Sequence, residues 1–343
     1  MRLPVKRWLD RWNAYWFPRT TTFSLAVARI VAVAAQLFWF NDPLESHLNF
    51  LEKNPEFINP ELLISAIAAV VSREAFFNPE VFIVLYWVTV IAGISALVGF
   101  LTRTSIFVFA SGTWILIAHL YSYGDRHHPQ AIFAIVLMLL AFAPSGESLA
   151  VDALIRRRRD RAAGRTTAPD ERVQTAMWPL KLAHVLLAWG YFSTGITKII
   201  FGGLDWVNGY TLQAYTFSDA INREIPLGIW LGQQHTLAIL LSIFTVLFET
   251  FFFVSLILPW TAPFFFITGL FFQIGLFVTA GHTFFQHMVL LVLLLFLLAP
   301  PWWQALLNKY FNLYPSVGAR QQASTPPGSS SGQAATAKAV TEG

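Results

Sequence analysis

Cysteine is missing from all 343 residues. Its absence excludes disulfides, thiolate metal centres, c-type haem attachment and dithiol redox chemistry. Charge is scarce as well: Asp, Glu, Lys and Arg together make up 12% of the chain, against roughly 25% in a soluble domain. A chain this poor in charge reads as a membrane protein before any segment is inspected. The net charge of +4 is small and unevenly placed, so it concerns topology rather than a nucleic-acid partner. Several catalytic signatures are also lacking: a phosphate-cradling Gly-rich loop with lysine, a G-x-S-x-G elbow and H-E-x-x-H. The N-terminal stretch MRLPVKRWLDRWNAYWF has no short apolar core followed by a small-residue cleavage site. Residues 1–21 therefore read as a basic, interfacial amphipathic segment on the cytoplasmic side and not as a signal peptide.

What is present is apolar and aromatic. Hydrophobic residues form 55% of the chain, with 32 Phe and 13 Trp, and the mean hydropathy is +0.54. About eight segments approach the 20 apolar residues that a spanning helix needs: 22–41, 81–101, 104–121, 129–144, 181–201, 234–258, 264–281 and 284–300. Segment 62–72 is too short to span and reads as a re-entrant or interfacial helix. The fold class expected is thus all-α, a polytopic transmembrane bundle over 22–316 with a polar linker at 145–180. The tail 317–343 is rich in Gly, Ser, Ala, Pro and Gln and is expected to be a disordered cytoplasmic extension. Lysine and arginine concentrate in the N-terminal segment, at Arg103, over Arg156–Arg159 and beyond, and in the tail. With eight spans all of these fall on one side, so the positive-inside rule places both termini in the cytoplasm.

Ionisable residues inside spans are costly and usually face the bundle interior. On the fifth span His184, Tyr191, Thr194 and Lys198 follow at steps of seven, three and four, with Gly195 beside them, which is one helical face. At 1.5 Å rise, His184 and Lys198 lie about 21 Å apart along the axis. Two readings of Lys198 stay open. It snorkels to the outer interface, or it is desolvated in a cavity, where a lowered pKa lets it work as a base. The sixth span carries a matching stripe, His235, Ser242, Thr245 and Glu249. Glu249 lies at a depth comparable to that of Arg29 in the first span, so an Arg29–Glu249 ion pair of structural character is expected. Seven histidines, His47, His119, His127, His128, His235, His282 and His287, gather toward the outer side, and only His184 lies toward the inner one. Their spacing does not suit a metal, and none is expected.

The stretches "TGITK" (194–198) and "DWVNGY" (205–210) resemble the transmembrane core of the vitamin K-dependent gamma-carboxylase family, called the HTTM domain in bacterial proteins. The matching residues are Gly195, Lys198, Asp205, Trp206, Val207, Gly209 and Tyr210. "SLAVARIV" (24–31), with its embedded Arg29, resembles the family's first helix. "HHPQ" followed by "LLAFAPSGESLAVD" (127–152) resembles its histidine-led helix with a closing Ser148 and Asp152, and "GHTFFQHMVLL" (281–291) resembles a late histidine-bearing helix. Together they span roughly 22–300 in the family's order. About three extra residues within Ile200–Gly203 lengthen the gap to Asp205, and the family's large extramembrane domain is missing.

The resemblance implies a lysine base, Lys198, that deprotonates reduced vitamin K or menaquinol. It implies an assisting histidine at His128 or His127 and a late one at His282. Tyr191, Thr194, Asp205, Trp206, Tyr210 and His287 would line the substrate pocket. The partners implied are membrane lipids and a quinone or lipid-like substrate. The setting implied is a multi-pass protein of the bacterial inner membrane. Two function classes follow: a quinol-dependent, carboxylase-like membrane enzyme, and a non-catalytic binding or transport module that keeps the fold.

Overall fold

The computed structural model describes residues 4–18, 22–52, 59–72, 77–124, 128–165 and 177–311. Every regular element among them is helical. His127, the stretch 166–176 of the linker and the tail 317–343 lie outside the described residues. Met1–Ala299 forms one compact unit and Pro300–Gly343 a second.

The chain begins with α1 (Pro4–Trp16), then α2 (Phe23–Ala35), which widens into a π turn over Gln36–Phe40. Two short helices, α3 (Leu44–Leu51) and α4 (Leu62–Val71), follow. Next come α5 (Pro79–Val98), α6 (Thr102–Tyr121) and α7 (His128–Phe142). Asn78 caps α5 by accepting from the Glu80 N–H, and Gly99, with φ +73°, ends it. The Asn cap and the left-handed glycine are ordinary start and stop signals. The basic α8 (Val151–Ala162) precedes α9 (Trp178–Thr197). The second half holds α10 (Leu204–Val207), α11 (Tyr210–Asn222), α12 (Pro226–Gly232), α13 (His235–Phe251) and α14 (Val254–Ile257). It closes with α15 (Ala262–Ala280), α16 (Phe285–Leu297) and, in the second unit, α17 (Pro301–Phe311).

All eight apolar segments are helical, and the short 62–72 segment is a ten-residue helix. Length alone does not reach eight spans. Six helices among the described residues are long and apolar enough to cross a membrane, and a seventh is reached if Phe285–Leu297 and Pro301–Tyr310 count as one broken span. His128–Phe142 is apolar but has only 15 residues. The stretch between spans five and six carries helices α10 to α12 that apolar run length does not reveal. Tyr210 opens α11 rather than sitting in a loop.

The two ends of the bundle are fixed by polar contacts. At one end, Asp152 accepts from the N–H groups of Leu101 (3.0 Å) and Thr102 (2.7 Å) and from the Thr102 hydroxyl (2.7 Å), capping α6. Burial alone would raise the Asp152 pKa. The bonds from Thr102 and Leu101 and the nearby Arg156 charge outweigh it, and the carboxyl is held below its ordinary value. Thr22 bonds Ser148 at the same end (2.6 Å). At the opposite end, Asn59 N–H donates to the Ser122 carbonyl (2.9 Å), and the His47 and His119 Nδ1 atoms meet at 3.4 Å.

Arg29 belongs to the first of these ends, and here the expected ion pair is corrected. Its fully buried guanidinium donates to the Ser145 carbonyl (2.7 Å) and the Leu149 carbonyl (2.5 Å), not to Glu249. Equal depth on two helices does not make two side chains face each other. The loop after α7 turns through Leu149 (φ +47°) and presents carbonyls that take up both terminal guanidinium nitrogens at its own end of the bundle.

Candidate functional site

The centre of interest lies where α9 meets α13. A side chain at Gly195 would put its Cβ 2.5 Å from the Thr250 backbone nitrogen and 2.9 Å from the Glu249 carbonyl carbon. Only a bare Cα lets the helices approach this closely. The approach brings Glu249 against Lys198, with Nζ 2.5 Å from Oε2 and side-chain exposures of 15% and 8%. The lysine amine therefore ends on a buried carboxylate. Lys198 and Glu249 join the two polar stripes here; Ser242, Thr245 and Glu249 are buried on α13, and His184, Tyr191 and Gly195 on α9.

Past Thr197 the helix widens into a π turn, Lys198–Gly202, before Gly203 (φ +51°) breaks it. Residues 200–202 lie within this π turn, and inserted π turns are frequent at functional sites. Trp206 folds back onto Gly202, where a Cβ would lie 1.9 Å from its Cδ1. Its ring stands 5.0 Å from the Lys198 amine. An open cavity of about 440 Å³ results, lined by Ser193, Thr194, Thr197, Lys198, Phe201, Gly202 and Trp206. Its chemistry is one ion-paired amine, three hydroxyls and two aromatic walls. The Thr194 and Thr197 hydroxyls are spent on the carbonyls of Gly190 (2.6 Å) and Ser193 (2.7 Å). The amine is left as the group with acid–base capacity that borders the cavity directly.

A family model for the HTTM domain matches residues 17–302. The chain belongs to the HTTM family. No curated protein and no solved structure shows significant similarity. The HTTM domain thus covers the bundle from just before α2 to the start of α17, and with its apolar helices makes the chain a multi-pass membrane protein.

The remaining expected residues of the HTTM domain separate into distinct places. Tyr191 is buried behind Lys198, its hydroxyl accepting from Gln273 Nε2 (2.7 Å) and its ring stacked on Phe252. His287 is buried next to it, with ring centroids 5.8 Å apart, and its Nε2 has no partner among the described residues. His128 is exposed, 5.6 Å from the His287 ring and 5.4 Å from that of Phe284. His282 bonds Asp219 (2.9 Å). Asp205 is exposed and builds the turn into α11, its carbonyl accepting from the Thr211 hydroxyl (2.9 Å). Tyr210 is exposed and packs its ring against that of His235, centroids 4.4 Å apart and tilted by 32°. Of the expected pocket, Lys198, Thr194 and Trp206 come together, and no described histidine lines their cavity. His184 bonds Ser255 (2.8 Å) at a buried position. Among the described residues no group of three or more His, Asp or Glu is placed to hold a metal ion.

Three participants escaped the sequence reading. Gln273 is a lone amide in a phenylalanine-rich helix, which is a detectable signal in a membrane span. Asp219 left no such mark, because it acts through His282, 63 residues away, and Phe284 is one more aromatic in an aromatic-rich stretch.

Proposed function

We propose that the chain is an enzyme of the bacterial inner membrane that takes a quinol or comparable lipid-like substrate and uses Lys198 as its base. The observation that carries this reading is the Lys198–Glu249 pair at the wall of an open cavity under Trp206. An amine 2.5 Å from a carboxylate can hand its proton to that partner in a low-dielectric setting and then accept one from a bound hydroxyl. Phe201 and Trp206 offer flat apolar surface, which suits a hydroxylated aromatic ring. Reduced vitamin K or menaquinol would supply the redox chemistry there. The residues of this chain bind the ring, hold the amine in place and move one proton to Nζ.

The test uses purified protein, reduced menaquinone and dissolved dioxygen as the electron acceptor, with and without bicarbonate. Lys198→Ala and Lys198→Arg should both abolish quinol oxidation, because arginine keeps the charge but does not act as a base. Unchanged oxidation in Lys198→Ala would refute the assignment. One observation favours a second reading, a binding module without catalysis: no described histidine shares the cavity. That reading expects quinol binding in the wild type with no turnover under any condition.

A further inference from the structure

We infer that α1 is an in-plane anchor that reads anionic phospholipid headgroups on the basic side of the bundle. The helix has 13 residues, and every side chain from Lys6 to Tyr15 is exposed. An isolated helix of about this length is marginal in water, so something must cover one of its faces. At 100° per residue Trp8, Leu9, Trp12, Tyr15 and Trp16 share one side, within roughly a third of the circumference. Trp8 and Trp12 stack at 5.4 Å, and Trp12 and Trp16 lie 5.6 Å apart. Trp8 is 59% and Trp12 48% exposed. Indole rings on an outward-facing helix side suit the headgroup boundary of a bilayer.

Charge selects the kind of lipid. Lys6, Arg7 and Arg11 stand on the polar side against a single acid, Asp10. Lys6 and Arg11 flank the aromatic side, where their stems lie along it and their charges reach headgroup phosphates. The helix is also held at a set position. Lys181, in the first turn of α9, donates to the Tyr15 carbonyl and places its amine 4.0 Å from the Tyr15 ring centroid. The end of the bundle marked by Thr22–Ser148 and by Asp152 on Thr102 also carries Arg103 and the Arg156–Arg159 run. Clustered cations of this kind attract an anionic leaflet, each contributing about fivefold in partitioning. A second copy of the chain would cover the aromatic side but offers no reason for the flanking cations.

The chain's lack of cysteine makes a single reporter clean. Full-length Leu9→Cys, labelled with an environment-sensitive maleimide, is placed in phosphatidylcholine nanodiscs, in discs with about 30% phosphatidylglycerol, and in lipid-free amphipol. Quenching of the label by an aqueous quencher should fall several-fold when phosphatidylglycerol is added, and recover at about 0.5 M salt. The triple variant K6Q/R7Q/R11Q should lose this response, and K6R/R7K/R11K should keep it. Equal quenching in both kinds of disc would overturn the inference, as would a phosphatidylglycerol response that survives K6Q/R7Q/R11Q. Protection in lipid-free amphipol would assign the aromatic side to another copy of the chain and overturn it too.

Discussion

Removing one member of the Lys198–Glu249 pair is not equivalent to removing both. Lys198→Met leaves the Glu249 carboxylate buried without its cation, which costs about 3–5 kcal/mol when a buried pair is broken. Replacing both, Lys198→Met with Glu249→Leu, removes the orphan charge, and most of that loss should be regained in thermal unfolding of the detergent-solubilised protein. Arg29→Gln and Glu249→Gln, by contrast, share no partner, and their losses should add within about 0.5 kcal/mol. A coupling larger than this between Arg29 and Glu249 would contradict the contacts described above. His47 on α3 gives a prediction in pH. It is 1% exposed, and burial pushes its pKa from 6.5 down to about 4. Because the folded state holds the neutral ring, the stability is fully present above pH 6.5 and is lost as pH falls from there toward 4. The drop should reach about 3 kcal/mol over that window. His47→Phe should flatten this slope when unfolding midpoints are compared at pH 7.5 and 5, and an unchanged slope would show that His47 does not titrate in that way.

Among the elements, the α9–α13 contact depends on Gly195. Gly195→Ala sets a Cβ 2.5 Å from the Thr250 nitrogen, and backbone cannot give way as a flexible side chain can. The helices must move apart, at a cost of about 1–3 kcal/mol, and the Lys198–Glu249 distance must open. Gly190→Ala, on the same helix, would meet only the flexible Ile132 Cδ1 at 3.0 Å, so it is the control that should stay near wild-type stability. Equal melting temperatures for the two variants would remove the close approach from the account of the site. This contact also shows what could be read in the sequence. The stripes His184–Tyr191–Lys198 and Ser242–Thr245–Glu249 were legible because a polar residue repeated at helical spacing inside a span has few destinations. Which stripe faces which was not legible. Arg29 and Glu249 agreed in depth and in charge, yet the choice of partner came from the Gly195 approach and from carbonyls turned inward at Leu149. Helices α10 to α12 were missed because they are short and only half apolar. Lys198 was readable as a special residue, whereas the separation of His128 and His282 from its cavity depends on how α11, α15 and α16 pack, which local pattern does not encode.

Across the whole membrane-embedded unit, the short helix α7 decides the topology. Its 15 residues rise only about 22 Å, less than the roughly 30 Å of a hydrocarbon core. By length it would be dropped from the count, and every later loop would then change sides. The hydrogen bonds argue otherwise. Asp152, which follows α7, caps Thr102 at the start of α6, so the chain leaves this end along α6 and returns to it along α7. A helix that returns its chain to the same end as the start of a 20-residue partner is predicted to cross with it, whatever its own length. Local thinning of the bilayer accommodates such a deficit at modest cost. The positive side is consistent with this: Lys6, Arg7, Arg11, Arg103 and Arg156–Arg159 then share one face, and Glu45, Glu52, Glu80 and Glu224 the other. Single cysteines placed in the cysteine-free chain test it. In intact cells an impermeant maleimide should label Glu52→Cys and Glu224→Cys and leave Asn13→Cys and Arg157→Cys untouched, with the pattern reversed in inverted vesicles. If Asn13→Cys and Arg157→Cys were labelled from opposite sides, the number of crossings between them would be odd, α7 would not cross, and Lys198 would have to be placed at the other face of the membrane from the acidic loops.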